Sequence, residues 1–106
     1  MDIHAQGNHL LALTNAMLVL AQTDAWDEFE LLEQQRSDIL NRIFGNPDNA
    51  ESARLHWVDM IKEIQRIDET IRHLICQQRN QAAEELRYLK QAHEGNKAYQ
   101  AADDAP

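Results

Sequence analysis

The sequence predicts an all-α fold: an antiparallel three-helix bundle with two shorter helices and one long third helix that projects beyond them. Three observations carry this expectation. Apolar residues recur at intervals of three and four along most of the chain. Only 3 Gly and 2 Pro interrupt a chain whose hydrophobic fraction is 43%. Punctuation falls at two places, Thr23-Asp24 and Gly45-Asn46-Pro47, so the 106 residues divide into two short segments and one long one. This length suits one domain with a modest core, so residues 1–100 read as one helical domain and residues 101–106 as a disordered tail.

The first helix is expected from Asn8, a good N-cap preceded by Gly7, to about Gln22. Leu10, Leu13, Met17 and Leu20 mark its buried face, widened by Leu11 and Leu18. The second is expected over residues 24–44, with Thr23-Asp24 as its cap and Asp24, Asp27 and Glu28 complementing the positive end of the helix dipole. Its inward face reads Trp26, Phe29, Leu32, Arg36, Ile39 or Leu40, and Ile43. Gly45, in a left-handed conformation, and Pro47 should then end it.

Asp48 and Glu51 have capping-box spacing, which starts the third helix near Asn49. No breaker follows until Gly95, and Lys90 and His93 fall in the expected last turns, so this helix spans residues 49–94. Unbroken, it would measure about 70 Å, against roughly 20 to 30 Å for each of the others. Its apolar stripe, from Trp57 through Met60, Ile61, Ile64, Ile67 and Ile71 to Leu74 and Ile75, stops at the polar run Gln77 to Gln81. The shared core should therefore end near Ile75. Leu86, Tyr88 and Leu89 form a separate apolar patch that calls for self-association, folding back or a partner.

The net charge of -8 disfavours direct contact with nucleic acid and anionic lipid, so the expected partner is a protein. Leu10 to Ala21, the longest apolar stretch, is shorter than the roughly 20 residues a membrane span needs, so no membrane insertion is expected. The N-terminus lacks the basic residues that open a secretory signal, and the lone Cys76 cannot form an internal disulfide; a reducing cytoplasm fits both.

Catalysis finds no support in the spacing. His73 and Cys76 offer two ligands of a tetrahedral site with no second pair to complete it, and no Glu-x-x-His motif occurs for a carboxylate-bridged metal pair. His4, His9, His56 and His93 are scattered, and neither serine, Ser37 or Ser52, sits in a Gly-rich turn. The protein is expected to be no enzyme and to carry no cofactor or metal. Glu63 with Arg66, Asp68 with Arg72, and Glu69 with Arg72 or His73 are helical neighbours worth a few tenths of a kcal/mol each.

An ordered set of residues adds a resemblance. Leu10-Leu11, Leu18, Leu20 and Ala21 lead into Asp24-Ala25-Trp26-Asp27, Leu32-Glu33 and Arg36. Ile64, Asp68, Ile71, Leu74, Gln77-Gln78-Arg79, Leu86 and Leu89 follow, then Gly95, Lys97, Ala98 and Tyr99. Over most of the chain this order resembles the FliT family of flagellar type III export chaperones. The resemblance implies a bacterial cytoplasmic chaperone that holds the C-terminal region of the filament-cap protein before export and contacts the export ATPase complex or export gate. It also implies, for some members, restraint of the flagellar master regulator by protein contact. The family commonly carries a further C-terminal helix, whereas this chain ends a few residues past Tyr99.

An amphipathic client segment would lie along helices two and three. The expected contacts are Leu31, Leu40 and Phe44, which widen the apolar face of helix two, with Leu74, Ile75, Leu86, Tyr88 and Leu89. Two alternatives stay open: a homodimer or larger structural oligomer pairing the third helices through Leu86 and Leu89, and a chaperone for a different flagellar subunit.

Overall fold

The computed structural model of the protein describes residues 2–103, with side-chain surroundings for residues 2–95. Four helices make up its regular structure: α1 (Ile3–Gln22), α2 (Trp26–Phe44), α3 (Pro47–His56) and α4 (Val58–Asp103). The all-α class and the single long helix agree with the sequence reading. The element count does not, because the expected third helix is two helices parted at Trp57.

Helix α1 begins before Asn8. The Asp2 carboxylate accepts the His4 backbone N–H at 3.0 Å and caps the first turn. Gly7, read as a lead-in to the helix, lies buried within it. It serves close packing: a Cβ there would sit 2.8 Å from both Met60 Sδ and Trp57 Nε1. At the other end Thr23 caps α1 rather than starting α2. Its hydroxyl donates to the carbonyls of Val19 at 3.0 Å and Leu20 at 3.3 Å. Asp24 takes a left-handed φ of 57°, a conformation Asp tolerates better than most residues, and the chain turns into α2 at Ala25 without a side-chain cap.

Helix α2 ends at Gly45, which is right-handed (φ -75°, ψ -15°) and not left-handed as expected. Glycine is required there by space, since a Cβ would approach the Asn41 carbonyl oxygen to 2.7 Å. Asn46, not the Asp48–Glu51 pair, then caps α3, its side chain accepting the N–H groups of Asp48 at 3.0 Å and Asn49 at 3.4 Å. Pro47 occupies the first helical turn, where its missing N–H costs nothing.

Trp57 leaves the helical region (φ -106°, ψ 14°) and closes α3. Its N–H bonds to Ala53 O at 2.8 Å and its own carbonyl receives Ile61 N–H at 2.7 Å. The side chain explains the break. Only 2% exposed, the indole donates from Nε1 to Ile3 O at 2.9 Å and stands edge-on to Phe44 at 6.3 Å. That partner lies at the opposite end of the first unit's sequence, so no local signal marks the break.

Helix α4 is helical through Gln77–Gln81 and passes Gly95, where the sequence reading ended it. One exposed Gly costs about 1 kcal/mol relative to Ala, too little to stop a long helix unaided. Residues 101–103, read as disordered tail, belong to this helix; residues 104–106 of that tail lie outside the described residues.

The chain forms two units, Met1–Leu74 and Ile75–Pro106. In the first, α1 packs on α2 and α3, and α2 on α3. Leu10, Leu13, Ile39, Ile43, Ala53 and Trp57 form the central cluster, against which Ile3, Leu32, Leu40, Met60, Ile61 and Ile64 pack. Ile67 and Ile71 of α4 are also buried. Full burial of a side chain such as Leu10 or Ile43 is worth about 1.5–3 kcal/mol. In the second unit every side chain from Cys76 to Gly95 is exposed.

Candidate partner-binding surface

One polar contact fixes the faces that α1, α2 and the first part of α4 present to the first unit's core. Arg36 Nη1 donates to Asp68 Oδ1 at 2.7 Å and to Thr14 Oγ1 at 3.2 Å. Thr14, fully buried, donates in turn to Leu10 O at 2.8 Å. The sequence reading placed Arg36 on an inward face but paired Asp68 with Arg72. Asp68 is half-buried and bound to Arg36 instead, while Arg72 pairs with Glu69 at 2.9 Å. A half-buried guanidinium needs a carboxylate, and Asp68 is the one that α4 turns toward it. Glu63 and Arg66 pair on α4 as expected, and the hydrogen bond from Arg66 holds the Glu63 carboxyl below its ordinary range.

With the core registered in this way, the apolar side chains left outside it can be identified. In the first unit Leu31 is 66% and Phe44 44% exposed, while Leu40 is half-buried against the central cluster. Leu40 and Phe44, four residues apart, share a row on α2; Leu31 lies roughly 180° around the helix from Leu40. Helix geometry therefore joins Leu40 with Phe44 and separates Leu31 from them. Leu74 is half-buried.

Three exposed apolar residues were not singled out from the sequence: Val19, Leu55 and Val58. Leu55 and Val58 flank Trp57, so the turn that buries the indole leaves its apolar neighbours in solvent. Two apolar residues out of phase with the stripe at Trp57 and Met60 were the signal available for them.

In the second unit Ile75 is half-buried, and Leu86, Tyr88 and Leu89 are 68%, 72% and 63% exposed. Leu86 and Leu89 lie three apart in one row, and Tyr88 and Leu89 edge an open concavity with Glu84 and Glu85. This concavity is a helix surface and not an enclosed cavity. Carboxylates beside an aromatic ring and a leucine suit an amphipathic protein segment that brings apolar side chains together with a basic group.

At the α1–α2 turn, Trp26 is half-buried and edge-on to Phe29 at 5.3 Å, and its Nε1–H is out of solvent without an acceptor. Among the described residues no group of three or more His, Cys, Asp and Glu side chains is placed to hold a metal ion, and no helix is long and apolar enough to cross a membrane. His73 Nε2 lies 3.8 Å from Glu69 Oε1, and Cys76 is exposed.

Comparison with known families returns one described as Flagellar protein FliT, whose model matches residues 5–101. No curated protein and no solved structure matches the chain. The match takes in nearly all of α1, all of α2 and α3, and nearly all of α4, including the central buried cluster, the Arg36–Asp68 pair and the exposed row at Leu86 and Leu89. The chain belongs to the FliT family, a family of flagellar export chaperones.

Proposed function

We propose that this protein is a cytoplasmic flagellar type III export chaperone that binds the C-terminal region of the filament-cap protein and delivers it to the export ATPase complex or export gate. The observation that carries the reading is the exposed row of Leu86 and Leu89, with Tyr88 beside it, in a chain of the FliT family. Large apolar side chains exposed together on one helix are the feature a partner segment covers. Leu31, Leu40, Phe44, Leu74 and Ile75 complete the proposed contact set. A client helix laid along the row of Leu86 and Leu89 would keep its own apolar face out of water until secretion, with no nucleotide or covalent step. Restraint of the flagellar master regulator would use protein contact alone, in keeping with the net charge of -8.

The test is size-exclusion chromatography with light scattering on the protein, alone and mixed with the C-terminal segment of the same bacterium's filament-cap protein. A defined complex, lost when Leu86 and Leu89 are both changed to serine, is the expected result. No complex, with a stable oligomer of the protein alone, would replace this reading with self-association. One observation favours that second reading: Glu84 and Glu85 precede Leu86 while Arg87 and Lys90 follow it. Two such helices paired antiparallel about Leu86 would set Glu85 of each copy against Arg87 of the other.

A further inference from the structure

We propose that His4 and His56 form a two-histidine site for a divalent transition metal, with Zn2+ as the metal to test. The imidazoles come from different helices, His4 from the first turn of α1 and His56 from the last residue of α3. Their ring centroids nevertheless lie 5.3 Å apart, with the planes inclined by 58°. Two imidazoles bound to one tetrahedral Zn2+ through bonds of about 2.0 Å would hold their centroids roughly 5 Å apart. The observed centroid spacing matches that of two imidazoles sharing one metal. A tilted contact between the two rings without a metal fits the same distance but gives none of the metal responses described below.

The backbone is held on both sides of this pair. Ile3, next to His4, gives its carbonyl to Trp57 Nε1 at 2.9 Å, and Trp57, next to His56, is 2% exposed. The Asp2 carboxylate holds the His4 N–H at 3.0 Å. Ligands carried on helices fixed in this way lose little freedom on binding. Both histidines are exposed, so a metal reaches them from solvent without the burial of a charge. With no third His, Cys, Asp or Glu placed beside them among the described residues, the protein supplies two ligands, and water or a bound partner's side chain supplies the rest. A metal there ties the first turn of α1 to the last turn of α3, at the corner where Trp57 closes α3.

The experiment is calorimetric titration of ZnCl2 into the full chain, with thermal unfolding in parallel. Both are done with Cys76→Ser, because the exposed thiol and His73 three residues before it offer a competing pair. The expected result is one Zn2+ per chain and a rise of several degrees in Tm at saturation. His4→Ala and His56→Ala should each weaken binding at least tenfold, as fully as the double substitution does, because a chelate needs both rings. His9→Ala, an exposed histidine elsewhere on α1, should leave binding unchanged. MgCl2, which prefers oxygen ligands, should not raise Tm. Circular dichroism confirming unchanged helicity in each variant excludes misfolding as the cause of a loss. Undiminished binding in the double variant, loss in only one of the two single variants, or loss on His73→Ala instead would overturn the proposal.

Discussion

Replacing Gly7 with alanine sets helix propensity against packing at the centre of the first unit. In an exposed helix interior this change stabilises by about 0.8–1 kcal/mol. At position 7 the new methyl would lie 2.8 Å from Met60 Sδ, 2.8 Å from Trp57 Nε1 and 3.2 Å from Trp57 Cε2. Met60 can yield by rotating about its flexible side chain. The indole cannot yield so easily, because it is buried and its Nε1 is bound to Ile3 O at 2.9 Å.

Overpacking costs about 1–3 kcal/mol, and losing the indole hydrogen bond adds about 0.5–1.5 kcal/mol. The packing cost exceeds the propensity gain, leaving a net destabilisation of about 0.5–3.5 kcal/mol, at roughly 4–8 °C in Tm per kcal/mol for a unit of this size. Urea unfolding followed by circular dichroism and by tryptophan fluorescence measures it. Gly95→Ala provides the contrast: a Cβ there meets nothing within 4 Å, so helicity should rise slightly. A Gly7→Ala protein as stable as the parent would refute the close packing of α1 on Trp57.

Three further predictions follow from other contacts. Arg36→Met and Asp68→Asn should each cost about 1–2 kcal/mol, and a double-mutant cycle should show positive coupling, since both side chains are less than a third exposed (18% and 27%). Additive losses would mean that the pair is not formed in solution. Truncation after Ala82 should leave the first unit's unfolding transition in place while abolishing client binding or self-association; unchanged binding would remove Leu86, Tyr88 and Leu89 from the contact set. Because the Arg66 hydrogen bond lowers the Glu63 pKa in the folded chain, its contribution is present above the unfolded value of 4.5 and lost as pH falls through the lower folded value. Glu63→Gln should therefore lower stability slightly at neutral pH and leave it unchanged once pH has fallen through the folded value, flattening the acid limb, as titration of Tm between pH 3 and 7 would show.

The helical class, the α2 stripe and the end of burial after Ile75 were legible because each depends on periodicity, which local sequence carries directly. The helix ends were less so. Thr23, Asn46 and Asp2 all have cap-forming side chains, but which helix a cap serves depends on the direction in which its side chain turns, and composition does not record that. Gly95 and Gly7 looked like boundaries and lie inside helices for opposite reasons. At Gly95 nothing crowds the helix; at Gly7 the crowding is so close that only glycine fits.

The break at Trp57 shows why the candidate surface was only partly legible. Ala50, Ala53 and Trp57 run into the stripe that ends at Ile75 with the same three-and-four spacing, so a pattern read along the chain continues where the helix does not. Closing α3 at this residue lets the indole reach Ile3 O and fill the space left by Gly7. The same turn leaves Leu55 and Val58 exposed on either side of a buried tryptophan. Exposure in the first unit is thus decided by a contact 54 residues away in sequence, whereas exposure of Leu86 and Leu89 is decided locally, by the polar residues around them on one helix. Apolar residues of the second kind could be found from sequence, and those of the first kind required the fold. The proposed contacts should divide accordingly: substitutions at Leu86 and Leu89 should change binding without changing stability, and substitutions at Leu40, which packs on the core, should change both.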